Sequence, residues 1–385
     1  MAVLTAKLVA IDTENPPGRG YARCLQVLGD ELDALGLASH IEPVPGGYID
    51  PAHPRLWLRA ELGSSGPTVY FHGHYDVVPA QSPELFTPRI DPDTIFGRGS
   101  SDMKGGLVSM IYAIRALEDS GLRPKGRIAL RIVPDEETGG TLGSRALADA
   151  GLLIGDSPLA MLTAEPTGGV VWHACRGAIT CRVTVYGRQS HVGLAYRGVN
   201  AFEKMLRITD ALRQLEAEVR ERSTGYPIEP EDARRSILMM GGEVSGGANF
   251  NVVPDALSFS VDRRINPEED FDVEKTRLLA ALHSTDADIE VDVFQQTRPA
   301  GVSETDAAAN ALGEAIASVR GEPARFELCP GILETRFYAE REIPAFAYGP
   351  GLLSVSHGPK EFVKRRDLED VAVVYALTAA RLLAK

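Results

Sequence analysis

The sequence predicts an α/β protein that carries an inserted α+β domain. Three observations lead there. The chain has 385 residues, more than one hydrophobic core usually holds. Apolar strand-like runs alternate with amphipathic helical stretches through residues 1–176 and again through 296–385. Between them, residues 177–295 follow the order β-α-β-β-α-β, the ferredoxin-like split unit.

Residues 2–11 read as a helix, broken by Thr13-Glu14-Asn15-Pro16-Pro17-Gly18. Leu25, Val27, Leu28, Leu32 and Leu35 set a helical period over 21–36, ending at Gly36. Strands are predicted at 55–61, 67–72, 127–133 and 159–163, with helices at 105–119 and 144–150. In the insert, strands fall at 177–186, 236–243, 256–264 and 288–294, with helices at 199–219 and 271–284. The polar, proline-containing stretch 221–235 reads as a loop. Helices at 304–320, 334–340 and 367–383 and a strand at 344–348 complete the chain.

Composition narrows the function. A formal net charge of -13 argues against nucleic acid or an anionic membrane as partner. Cys24, Cys175, Cys181 and Cys329 contain no Cys-x-x-Cys pair and read as free thiols of a reducing cytoplasm. Neither a signal peptide nor a bilayer-length apolar run is predicted.

Six short stretches carry acids or imidazoles at element ends. In Gly73-His74-Tyr75-Asp76-Val77-Val78-Pro79 an imidazole and a carboxylate lie two residues apart, on one face if the strand continues. Asp76 could then orient a metal-bound His74. The plain alternative is a strand end followed by a polar turn. The Gly-rich loop Gly97–Gly106 brings Asp102 to the start of a helix, where aspartate also serves as an N-cap. Asp135-Glu136-Glu137 follows a strand, where adjacent glutamates point in different directions. Glu165, in Ala164-Glu165-Pro166-Thr167, ends the next strand. Functional groups of open α/β sheets collect at such edges. Asn251-Val252-Val253-Pro254 and Ser356-His357, followed by Glu361, complete the set.

Together, in this order and spacing, these motifs resemble the zinc-dependent aminoacylase, acetylornithine deacetylase, succinyl-diaminopimelate desuccinylase and glutamate carboxypeptidase family, over essentially the whole chain. The resemblance implies a catalytic domain (1–176 and 296–385) with a mixed central sheet flanked by helices, and a lid and dimerisation domain at 177–295. It implies two zinc ions, replaceable by cobalt or manganese: His74 and Glu165 on one, Glu137 and His357 on the other, Asp102 bridging. Asp76 would orient His74, and Glu136 would be the general acid/base toward a zinc-activated water. His191, in Gln189-Ser190-His191-Val192 at the end of the first lid strand, would reach the active site across a homodimer interface. Asn251 and Arg264 would hold substrate. A cis bond between Asp102 and Met103 is implied as well.

The expected activity is hydrolysis of the amide bond of small N-acyl amino acids, with a dipeptidase or glutamate-type carboxypeptidase as alternative. A non-catalytic metal-binding relative is the reading from another class. Against the family's Thr-Asp-Ala-Arg, this chain has Leu333-Glu334-Thr335-Arg336, which leaves open what Glu334 contributes. His72 and His74 form a His-x-His pair, as in metal-dependent TIM-barrel hydrolases. The split β-α-β-β-α-β block breaks the eightfold repeat a barrel needs, so His72 is read as a structural or supporting residue.

Overall fold

The computed structural model describes residues 1–47, 50–122 and 125–384. It divides into two compact units, one of Met1–His173, Val302–Glu327 and Glu334–Lys385, the other of Ala174–Gly301 and Leu328–Leu333. Residue 385, the last of the predicted catalytic segment, lies outside the described residues.

The first unit is built on a mixed sheet. Its main strands are β1 (Ser39–Pro43), β2 (Leu56–Leu62), β3 (Thr68–His74), β4 (Arg127–Val133), β5 (Pro158–Thr163), β6 (Val171–Cys175) and, much later in the chain, β11 (Ala345–Ala347), with two short strands at the β6 edge. They lie in the order β1-β2-β4-β3-β5-β11-β6. Strands β4, β3, β5 and β11 run parallel at the centre, and antiparallel neighbours flank them. Every residue of β3 is buried, as befits a strand between parallel neighbours with both faces covered.

Alternate residues of β3 feed two cores. Phe71 belongs to one core with Leu107, Ile111, Leu312 and Val374. These come from helices α3 (Lys104–Asp119), α6 (Ala307–Arg320) and α7 (Arg365–Leu382). Tyr70 faces the other way, with Trp57, Met161 and Phe337. Helices α1 (Ala2–Val9) and α2 (Tyr21–Ala34) add Leu8, Leu25 and Leu28 to the first core. Two sequence expectations need adjustment here. Strands β1 and β6 were not predicted, and β3 runs to His74, two residues past its predicted end.

The second unit has strands β7 (Gly177–Tyr186), β8 (Ile237–Gly246), β9 (Ala256–Ile265) and β10 (Ile289–Thr297), ordered β8-β9-β7-β10 and all antiparallel. Helices α4 (Ala201–Arg220) and α5 (Phe271–Leu282) supply Ile208, Leu212 and Leu278 to its core, against Cys181, Val183 and Val261. Asn200 and Asp270 accept backbone N–H groups at the two helix starts, the capping role their residue types favour. This is the ferredoxin-like order the sequence predicts. Strand β7 stops at Tyr186, so His191 lies beyond it, in a two-residue strand pairing with Val252.

Candidate active site

The sheet's parallel strands deliver the site at their C-terminal ends. Strand β3 ends on His74, Glu136 and Glu137 follow β4, and Glu165 follows β5. The Gly97–Gly106 loop brings in Asp102. A Cβ on Gly106 would stand 2.3 Å from the Ala164 carbonyl oxygen, so only glycine lets α3 start this close to the chain entering Glu165. Likewise a Cβ on Gly73 would meet Met103 at 2.7 Å.

Asp102 is the centre of the arrangement. Its Oδ1 lies 3.2 Å from His74 Nε2, and its Oδ2 3.3 Å from His357 Nε2. Glu165 Oε1 stands 3.7 Å from the same nitrogen of His74. Glu137 Oε2 stands 3.2 Å from that of His357. Donor atoms of His74, Asp102 and Glu137 all lie within 4.8 Å of one another. Asp102 does not cap α3: Met103 holds the cap position, with no side-chain bond, and the Asp102–Met103 peptide is cis.

Asp76 supports the site differently from the expected strand face. The strand has ended, and the chain curls so that His74 Nδ1 lies 3.0 Å from the Asp76 carbonyl oxygen and 3.4 Å from Oδ1. A proton on Nδ1 therefore leaves Nε2 free as a donor to metal. The Asp76 carboxylate meanwhile accepts the backbone N–H groups of Glu136 and Glu137, at 3.3 and 3.2 Å, and Asn15 Nδ2 at 2.9 Å. Asp135, at φ 73°, turns the chain so that these N–H groups point back. Its own carboxylate accepts from Thr138, Leu142 and Asn15.

Electrostatics mark the cluster as incomplete without cations. Burial pushes Glu136 well above the carboxylate range, with His74 opposing and the charges of Glu165 and Glu137 reinforcing. Burial and then Asp102 raise Glu137 to about 7. Burial likewise raises Glu165. Burial would raise Asp102 too, but hydrogen bonds from His357 and His74 hold it below its usual range. Hydrogen bonds to Asp102 and Glu137 raise His357 to about 10. Glu137 Oε1 is buried with no protein partner. Imidazole and carboxylate donors, a carboxylate split between two histidines and an orphaned buried oxygen fit a pair of divalent ions.

A model of peptidase family M20/M25/M40 matches residues 70–381. The chain belongs to this family. As an M20 member it is a hydrolytic enzyme acting on amide bonds. It is 29% identical over 391 residues to a succinyl-diaminopimelate desuccinylase of Alkalilimnicola ehrlichii, covering 99% of this chain and 98% of that one. It is 28% identical over 318 residues to a probable succinyl-diaminopimelate desuccinylase of Staphylococcus aureus, covering 77% and 75%. In fold it is similar to an M20 family metallo-carboxypeptidase of Sulfolobus solfataricus, with a TM-score of 0.80, 16% identity and coverage of 100% and 99%.

The structure brings together seven of the expected M20 site residues in the first unit: His74, Asp76, Asp102, Glu136, Glu137, Glu165 and His357. The other three lie in the second unit. His191 is exposed, its Nδ1 accepting from Gly193 N at 3.1 Å. Asn251 directly precedes Val252, the residue paired with His191, and its carbonyl accepts from Val192 N at 2.9 Å. Arg264, on β9, is paired with Asp262 at 2.9 Å. Three supporting residues have no role in the sequence reading: Asn15, Arg98 and Glu361. Arg98 and Glu361 do stand in quoted motifs, and Asn15 in the helix-breaking stretch, but only long-range contacts show what they hold. Among the described residues no helix is long and apolar enough to cross a membrane.

Proposed function

We propose that this M20 hydrolase removes the acyl group from small N-acyl amino acids, using two zinc ions. The observation that carries it is the single carboxylate of Asp102 divided between His74 and His357. His74 and Glu165 would hold one ion, His357 and Glu137 the other, and Asp102 both. Bound there, the pair supplies positive charge that acidifies water and polarises a carbonyl.

Glu136 does the proton work. It keeps part of its surface open, and its carboxylate, which holds neither ion in this reading, is the group free to take a proton from the attacking water. It then gives that proton to the departing amide nitrogen. Asp76 holds both partners of this step in register, since it fixes the His74 ring and the backbone of Glu136. His191 of the partner subunit would donate to the tetrahedral oxyanion, with Asn251 and Arg264 holding the substrate's carboxylate and backbone. On this reading the second unit is lid and dimerisation domain, and the enzyme works in the cytoplasm. The desuccinylase relatives that match along the chain support the acyl-amino-acid class over the dipeptidase alternative.

Purified protein loaded with zinc, then with cobalt or manganese, is assayed on N-succinyl, N-acetyl and N-acyl-aromatic amino acids and on dipeptides. Amine release that ceases after chelation and returns with metal is expected on the acyl substrates. Turnover of dipeptides alone would replace this reading with the peptidase one. Metal binding without turnover of any would leave a non-catalytic relative.

A further inference from the structure

We infer that the buried Arg98–Glu361 ion pair is a positioning clamp for one of the two metal positions, that of His357. This rests on the two-ion reading above. Arg98 and Glu361 are 1% and 0% exposed and meet at 2.7 Å.

Each partner holds a different piece of the site. Glu361 Oε1 accepts the backbone N–H groups of Ser101 and Asp102, at 3.0 and 3.1 Å. Glu361 Oε2 accepts from Arg98 Nη1. Arg98 Nη2 donates to the carbonyl oxygen of His357 at 3.1 Å. The exposed Gln81 donates to that same carbonyl at 3.1 Å, and its own Oε1 accepts from Arg98 Nη2 at 3.2 Å. The clamp therefore spans from the backbone of Asp102 to the backbone of His357.

His357 needs such a hold. Its φ is 63°, in the left-handed region that residues other than glycine seldom enter. Its side chain is 49% exposed, so packing does little to fix it. Two donors converging on its carbonyl keep the backbone in that conformation, which aims Nε2 at Asp102 and Glu137.

The effect is one-sided by construction. His74 is anchored by Asp76 and by the end of β3, and Glu165 by the end of β5. Glu137 is anchored through its N–H to Asp76. Among the five donors only Asp102 and His357 hang on the clamp. That is two of three donors at the His357 position, but only the shared Asp102 at the His74 position.

The test is calorimetric titration of metal-free protein with zinc, which yields two binding constants. Single His74→Ala and His357→Ala variants assign each constant to its position. Glu361→Gln should weaken the His357 position by about 10–100-fold, the usual effect of removing a partner that orients a ligand. The His74 position should change by less than about threefold. Gln81→Ala, at an exposed position, should weaken the same constant several-fold without altering thermal unfolding of the metal-free protein. Arg98→Lys, which keeps the charge, should recover part of what Arg98→Met loses. If Glu361→Gln does not fold, Gln81→Ala and Arg98→Lys decide. Equal weakening of both constants, or no change in either, overturns the clamp. A wild-type protein that takes fewer than two ions overturns the two-ion reading and the clamp with it.

Discussion

His72 Nε2 lies 2.6 Å from Glu334 Oε2, and both side chains are sealed from solvent. Ser144 Oγ approaches the same ring nitrogen at 3.3 Å, and the Tyr338 hydroxyl approaches Nδ1 at 3.2 Å. Burial would raise Glu334, but the charge and hydrogen bond of His72 hold it below its usual range. The two histidines share a face of β3 but lie at different positions along it: His74, at the strand's end, meets the metal donors, and His72, two residues earlier, a buried polar network. Glu334→Ala should destabilise the protein by about 1–3 kcal/mol, since it strips a buried ring nitrogen of its closest partner. Urea unfolding measures the loss. Metal stoichiometry should stay at the wild-type value, and a fall in bound metal at unchanged stability would contradict the assignment.

Glu136→Gln should lower kcat by roughly 10²–10⁴-fold with metal content unchanged, because the residue moves protons instead of binding metal. Elemental analysis of the variant is the decisive measurement. Loss of metal together with activity would mean that Glu136 and Glu137 have exchanged roles.

The metal-free protein should lose stability as pH rises. Glu137 goes from an ordinary 4.5 to about 7 on folding, so its contribution is full below 4.5 and gone above about 7. His357 goes from 6.5 to about 10, so its contribution is full below 6.5 and lost through about 10. Glu137 acts between about pH 4.5 and 7 and His357 between about 6.5 and 10, both in the same sense. The thermal midpoint of chelated protein should fall across that range. Because both groups must be deprotonated to bind metal, loading near pH 7.5 should also release protons. Heats of zinc binding that do not depend on the buffer's ionisation enthalpy would refute this.

Complementation tests the placement of His191. Inactive His191→Ala and Glu136→Gln chains, mixed and allowed to exchange subunits, should regain part of the wild-type activity. One site of such a mixed dimer has an intact Glu136 and an intact His191 from the other chain. A mixture that stays inactive after mass spectrometry shows exchange places His191 in its own subunit's site or outside the reaction.

What was legible in the sequence follows from range. His74, Glu137 and Glu165 stand where an apolar run stops, and a polar group at such an edge is visible locally. Asp102 and His357 stand in short motifs of fixed spelling. Glu361 was seen as part of a motif, but its bond to Arg98 spans 263 positions, and no spacing rule reaches so far. Asn15 was masked by its prolines, which read as a helix breaker and nothing more. In the fold, β1 was missed because it is a short edge strand with mostly exposed residues. Strand β6 was missed because Arg176 alone separates it from β7. The strand face proposed for His74 and Asp76 failed for a local reason: periodicity of two holds only while the strand lasts, and β3 ends at His74.

The place of β11 in the sheet has a consequence for how the chain is made. It lies between β5 and β6, yet it follows β5 by 181 intervening residues, Ala164 to Pro344. A ribosome adding roughly 5–20 residues per second needs about 10–35 s to cover that distance. Throughout that interval the parallel edge of β5 is without its neighbour, and by its end all strands and helices of the second unit have been synthesised. The insert can close its core first, and the catalytic sheet is completed by one of the last strands to leave the tunnel. Its apolar edge is therefore the surface that a chaperone would have to shield on the nascent chain.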